Sequence, residues 1–175
     1  DQMGRSVSMF SDDPSARSLA RVPGLDEART AALLSDANIV TVYDFEVQGF
    51  TAYLIMEYVD GITLSELLER FDDRLSLNVV AAVFAAESHA LEVAHDNQVL
   101  HLDIKPDNVL INRQGQVKVT DFGLAVLAGT SGFGAAGGGT IGYMPLEQMR
   151  QESLDARCDE WALASVTYEM LAGEN

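Results

Sequence analysis

The sequence predicts an α+β fold, and three observations carry that expectation. Two β-rich runs, Ile39 to Val47 and Thr51 to Val59, stand on either side of Gln48-Gly49-Phe50 and read as a hairpin. Beyond Asp60-Gly61, where the β pattern breaks, the chain turns helical, with an alanine-rich stretch from about Leu77 to Asn97. At 175 residues, 47% hydrophobic and 22% charged, the chain is long enough to bury a sizeable core as one globular domain.

In chain order, Asp1 to Pro23 is irregular, with one short strand-like run at Ser6 to Phe10. From Gly24 onward Leu25, Ala28, Ala31, Ala32 and Leu34 recur at a helical period behind an acidic first turn. After the hairpin, a short helix is expected from about Ser65 to Phe71, ahead of the long one, whose alanines fit either close packing or plain helix propensity. Strands at Val109 to Ile111 and Val117 to Thr120 flank Arg113-Gln114-Gly115 as a second hairpin. Residues Gly129 to Gly142 hold seven of the 14 glycines and are expected to form a loop that only a partner would order. A last helix should run from near Asp159 to Ala172, with Trp161 and its apolar face in the core and Cys158 as a small packing residue. No internal repeat occurs at solenoid spacing.

Charge narrows the function. Eleven basic residues against 27 acidic give a net charge of −16, and Lys105 and Lys118 are the only lysines. Nothing here could neutralise a run of phosphates, so no nucleic-acid partner is expected, and the acidity argues against docking on anionic lipid. A single cysteine cannot form an internal disulfide, so no oxidising compartment is required and a cytoplasmic setting is the expectation. The longest apolar run, Val79 to Ala86, is far below the ~20 residues a bilayer span needs, so no membrane contact is expected within these residues. With no basic-then-apolar leader and no closing element after Leu171 to Asn175, the chain reads as an excised piece of a longer protein.

The chemistry lies in His101-Leu102-Asp103-Ile104-Lys105-Pro106-Asp107-Asn108, followed thirteen residues after Asn108 by Asp121-Phe122-Gly123. A carboxylate, an ammonium and a carboxamide so spaced on one loop can converge on a point, and the intervening hairpin returns a second carboxylate to it. That set suits phosphoryl transfer. Asp103 would accept the proton of an attacking hydroxyl and Lys105 would neutralise the transferring phosphate, while Asn108 and Asp121 would hold Mg²⁺ through hard oxygens. Positioning and electrostatics supply most of the acceleration in such chemistry.

From about Glu27 to its end, the chain resembles the eukaryotic-like serine/threonine protein kinase catalytic domain. The family's catalytic loop reads H-R-D-x-K-P-x-N and its magnesium motif D-F-G, against HLDIKPDN and DFG here, and the lysine two residues after the aspartate resembles the serine/threonine branch. The resemblance implies a bilobal fold. Residues 1–59 would form a partial, β-rich small lobe with the hinge, and residues 60–175 a partial, mainly helical lobe with the catalytic loop and activation segment. Met56 to Gly61 is similar to the interlobe hinge, with Met56 as gatekeeper, the backbone of Glu57 and Val59 contacting adenine, and Leu110 beneath the adenine ring. Glu27 resembles the lysine-pairing glutamate of the small lobe's helix. His101 would pack beneath Phe122, Thr140 would bond Asp103, and Asp159-Glu160-Trp161 resembles the start of a family helix in the larger lobe.

Four departures bear on activity. Aligning Val7-Ser8-Met9-Phe10 with the family's V-A-x-K places Phe10 where the ATP-binding lysine belongs, and no glycine-rich loop precedes it. Leu102 replaces the arginine that usually meets a phosphorylated activation loop, so Thr130 and Ser131 are weak switch candidates. Pro145-Leu146-Glu147 stands for A-P-E, with Glu147 retained. Two function classes follow: a kinase moving the γ-phosphate of ATP, with Mg²⁺, to Ser/Thr hydroxyls of a protein substrate, or a pseudokinase serving as a nucleotide-binding or interaction module. The lysine after Asp103 and the GTIGY-M-P-L-E segment disfavour a small-molecule acceptor.

Overall fold

Strands β1 (Val42–Gln48) and β2 (Thr51–Met56) pair antiparallel from Val42 opposite Met56 to Gln48 opposite Thr51, with a register shift between Val42 and Asp44. This is the hairpin that the β-rich runs predict. The computed structural model describes residues 32–48, 51–71, 74–122, 141–150 and 152–173. The expected strand at 6–10 and nearly all of the expected helix from Gly24 lie outside these residues, as do Phe10, Glu27, Thr130, Ser131 and Thr140.

The chain does not simply break at Asp60-Gly61. Gly61 opens a three-residue strand, β3 (Gly61–Thr63), which pairs antiparallel with β4 (Val109–Asn112), itself paired with β5 (Val117–Val119) in the order β3-β4-β5. A Cβ at position 61 would lie 2.0 Å from the Ile111 carbonyl oxygen, so glycine is what allows the two backbones to approach this closely. Val109, Val117 and Val119 turn into the core. The β4–β5 turn closes as the sequence predicts: Asn112 Oδ1 accepts from the amides of Gln114 and Gln116, and Gly115 takes a positive φ of 81°.

Helix α1 (Leu64–Arg70) starts one residue before its expected position because Thr63-Leu64-Ser65-Glu66 is a capping box. The Thr63 hydroxyl accepts from the Glu66 amide at 3.0 Å, and Glu66 reaches back to the Thr63 amide at 3.2 Å. Helix α2 (Leu77–Asp96) buries Val80, Val83, Glu87, Ala90, Leu91 and Ala94 along one face, packed against α4 (Arg157–Ala172) and β5. Its alanines answer both expectations, since Ala90 and Ala94 are buried at close contacts while Ala81, Ala82 and Ala85 are exposed. By length and composition alone α2 could cross a bilayer, but its buried stripe is that of a core helix.

Helix α3 (Leu146–Met149) is a single turn that follows a 3₁₀ turn at Ile141–Tyr143. Helix α4 begins at Arg157, two residues before its expected start, and ends at Gly173, which adopts the left-handed conformation with φ 85°. Cys158 is buried, as the sequence predicts. Trp161 is not: it is 55% exposed, because the buried stripe Cys158, Asp159, Ala162, Leu163, Val166 and Met170 faces away from it.

Residues 38–41 join the two sheets. Val40 donates to the Val119 carbonyl at 2.9 Å, Val119 to the Asn38 carbonyl at 2.8 Å, and Glu57 to the Thr41 carbonyl at 2.8 Å. The hinge-like segment after β2 is thereby fastened to the strand that leads into Asp121.

Candidate active site

The loop between α2 and β4 carries the predicted chemistry, and its backbone is fixed from below. Helix α2 ends at Asn97, Gln98 takes a φ of 61°, and the Val99 amide returns to the Ala94 carbonyl at 2.9 Å, which turns the chain and seats Val99 in the core. His101 is fully buried. Its Nε2–H donates to the Thr120 carbonyl at 2.8 Å, its Nδ1 accepts from the Asp103 amide at 3.3 Å, and its ring meets the Phe122 ring edge-on with centroids 4.5 Å apart. The expected packing of His101 against Phe122 is therefore present.

Lys105 Nζ lies 2.7 Å from Asp103 Oδ2. The Asn108 amide nitrogen donates to the Asp103 carbonyl at 2.8 Å and to Asp103 Oδ2 at 3.1 Å. Both N–H groups of Asn108 are thus turned toward Asp103, leaving Asn108 Oδ1 and Asp103 Oδ1 without a partner among the described residues. The three predicted loop residues converge, held by the 3₁₀ turn Pro106–Asn108 whose proline presets its first position.

Asp121 follows β5 at the same place. The Thr120 amide donates to the Asn108 carbonyl at 3.0 Å, so the residue after it is set beside Asn108. Asp121 has a φ of 67°, and the Thr120 hydroxyl donates to its Oδ1 at 3.4 Å. Among the described residues no group of three or more His, Cys, Asp or Glu side chains could hold a metal alone. Asn108 Oδ1 and the Asp121 carboxylate are nevertheless a hard-oxygen pair of the kind that binds Mg²⁺ together with phosphate oxygens and water. The donor set fits.

At the hinge, the Glu57 amide is engaged by Thr41, while its carbonyl and the Val59 amide have no partner among the described residues. The Glu57 side chain points elsewhere. Lys118 Nζ lies 3.0 Å from its Oε1 and 3.2 Å from its Oε2, and the Thr41 amide donates to Oε2 at 2.9 Å. Burial raises the Glu57 pKa, but the Thr41 amide and Lys118 outweigh it and hold the carboxyl below its usual range. Met56 lines a narrow apolar pocket with Ile39, Val40, Leu54, Asp121 and Phe122, and the Thr120 hydroxyl meets its sulfur at 3.9 Å. Leu110 is half-buried on β4 opposite Lys118.

Sequence reasoning assigned no role to the residue that organises this loop. Asp159, fully buried on α4, accepts from the His101 amide at 2.9 Å, the Leu102 amide at 2.7 Å and His95 Nε2 at 2.8 Å. Burial alone would raise its pKa, yet these hydrogen bonds and the neighbouring imidazoles hold it below the ordinary value. The available signal was Asp159-Glu160-Trp161 itself, which marks the helix without revealing the bonds. Gln148, whose Nε2 donates to the Leu102 carbonyl at 2.7 Å, carried no signal at all.

A β-hairpin joined by a hinge to a helical part, with a buried aspartate holding a D-x-K-P-x-N loop under a D-F-G strand end, defines a protein kinase catalytic fold. The chain belongs to the protein kinase domain family, which it matches over residues 14–175. It is 40% identical over 156 residues to serine/threonine-protein kinase PknB of Mycobacterium tuberculosis, covering 85% of this chain and 25% of that protein. It is 36% identical over 152 residues to serine/threonine-protein kinase PrkC of Bacillus subtilis, covering 84% of this chain and 23% of that protein. The chain therefore spans about a quarter of the length of these relatives.

Proposed function

We propose that this chain is the catalytic part of a serine/threonine protein kinase that transfers the γ-phosphate of ATP to hydroxyl groups of a protein substrate in the cytoplasm. The observation that carries this reading is the convergence of Lys105 and Asn108 on Asp103 Oδ2, which leaves Oδ1 without a partner among the described residues. Asp103 orients the substrate hydroxyl and takes its proton on Oδ1 as the oxygen attacks phosphorus. Lys105 offsets the charge on the transferring phosphoryl group, and its bond to Oδ2 keeps the carboxylate from rotating.

Asn108 Oδ1 and Asp121 would hold Mg²⁺, whose charge would offset that of the triphosphate. The Glu57 carbonyl and Val59 amide receive the adenine edge, Met56 bounds the pocket behind it, and Leu110 packs below the ring. Glu27, outside the described residues, belongs to the same nucleotide site by resemblance. Residues 1–59 form the small-lobe part with the hinge, and 60–175 the catalytic-loop part.

A pseudokinase is the second reading, favoured by Phe10 at the position of the ATP-binding lysine. Phosphate transfer from γ-labelled ATP to a generic serine/threonine protein substrate separates the two, using the full-length protein beside its Asp103→Asn variant. The kinase reading expects transfer by the wild type and a loss of about 10²-fold or more in kcat for the variant, with ATP binding nearly unchanged. Equal transfer by both proteins removes Asp103 from catalysis, and background transfer by both leaves the pseudokinase.

A further inference from the structure

The peptide unit between Leu102 and Asp103 is gripped at both ends. Its N–H, that of Asp103, donates to His101 Nδ1 at 3.3 Å, and its carbonyl, that of Leu102, accepts from Gln148 Nε2 at 2.7 Å. The plane of this peptide sets the direction in which Asp103 projects. Leu102 itself has a φ of 63°, a left-handed conformation that disfavours any residue with a Cβ and persists only where neighbours over-determine it. Its own amide is held by Asp159 Oδ1 at 2.7 Å.

Gln148 reaches the loop from α3, and the segment bearing α3 is anchored independently. The Tyr143 hydroxyl donates to Glu169 on α4, the Cys158 thiol contacts Glu147 Oε1 at 3.8 Å, and the Glu152 amide donates to the Glu147 carbonyl at 2.9 Å. The Leu102 carbonyl is thereby referred to α4 by a second route, separate from Asp159.

We propose that Gln148 is a positioning residue for Asp103: it fixes the Leu102–Asp103 peptide plane and so the aim of the proton-accepting carboxylate. This rests on the kinase reading for the role of Asp103. It assigns to a side chain of α3 the coupling between the end of the activation segment and the catalytic loop, at a position where Leu102 has no guanidinium to make such a link.

The test uses the full-length protein with Gln148→Met, which keeps length and removes the donor, and Gln148→Lys, which keeps a donor of similar reach. The Met variant should lose about tenfold in kcat with the KM for ATP within about twofold of wild type, because a misaimed base slows the chemical step without touching nucleotide binding. The Lys variant should retain more than about half of wild-type kcat. Unchanged kcat in the Met variant, or equal losses in both variants, would overturn the proposal. Hydrogen exchange at the Asp103 amide supplies a readout independent of turnover: it should quicken in the Met variant while amides within α2 and α4 stay unchanged. Unaltered exchange at Asp103 also overturns the proposal. A wild type without phosphate transfer would defeat the kinase reading, and the exchange comparison would still decide whether Gln148 holds this peptide.

Discussion

His95 Nε2 sits 2.8 Å from Oδ2 of Asp159, joining the last turn of α2 to the first turn of α4 beneath the catalytic loop. The hydrogen bond that His95 donates to Asp159 raises the His95 pKa against the opposing effect of its partial burial. The carboxylate thus has three donors, and the two backbone donors belong to the residues just before Asp103.

Replacing Asp159 with asparagine keeps the volume and removes both the charge and one acceptor oxygen. An amide NH₂ must then face one of the three N–H donors, so a buried donor is left unpaired. The expected loss is roughly 3 kcal/mol of folding stability. Chemical denaturation of Asp159→Asn beside wild type measures it, and a loss within about 0.5 kcal/mol, the range of ordinary surface substitutions, would contradict this account.

Glu87 should make the protein less stable as pH rises. Both its carboxylate oxygens are buried and unpartnered among the described residues, and burial pushes its pKa up to about 8 from 4.5. Between those values the folded protein keeps a proton that the unfolded chain has released, so the stabilisation present below pH 4.5 is lost progressively up to about pH 8. His95, also raised, acts in the same direction above its ordinary 6.5. Glu87→Leu should flatten most of the slope and gain on the order of 3 kcal/mol near neutral pH. Thermal unfolding across pH checks this, and parallel profiles for variant and wild type would refute it.

Nucleotide binding should require a divalent cation. A triphosphate approaching Asp103 and Asp121 is repelled unless a cation bridges it to Asn108 and Asp121. Calorimetry with ATP should show binding in the presence of Mg²⁺ and its loss on chelation. Equal affinity under both conditions would remove Asn108 and Asp121 from the metal site.

Activity should not depend on phosphorylation of the activation segment. Leu102 has no charge to pair with a phosphate, and its main chain is already held by Asp159 and Gln148. Phosphatase treatment of purified active protein should leave kcat unchanged within about twofold, the scale of an effect too small to count as a switch. A severe drop would show that another cation reads the phosphate.

The parts legible in the sequence were those whose signal is local. HLDIKPDN located the loop, and the two- and three-residue spacing of Asp103, Lys105 and Asn108 already implied that they converge. Both hairpins followed from β-rich runs around short breaks. Strand β3 was missed because three residues opening on a glycine resemble a loop, and only the closeness of Ile111 explains that glycine. Asp159, Gln148 and Lys118 act on partners 57, 46 and 61 positions away, at Leu102, Leu102 and Glu57, and no periodicity encodes such pairings. Trp161 was misjudged because hydrophobicity alone does not say which side of α4 turns inward.

At Leu102 the fold is carried by the main chain, with the amide and carbonyl both committed and the side chain left out of the bonding. Exchanging leucine for arginine should therefore leave both main-chain supports of the loop in place, because Asp159 and Gln148 bond the backbone and not the side chain.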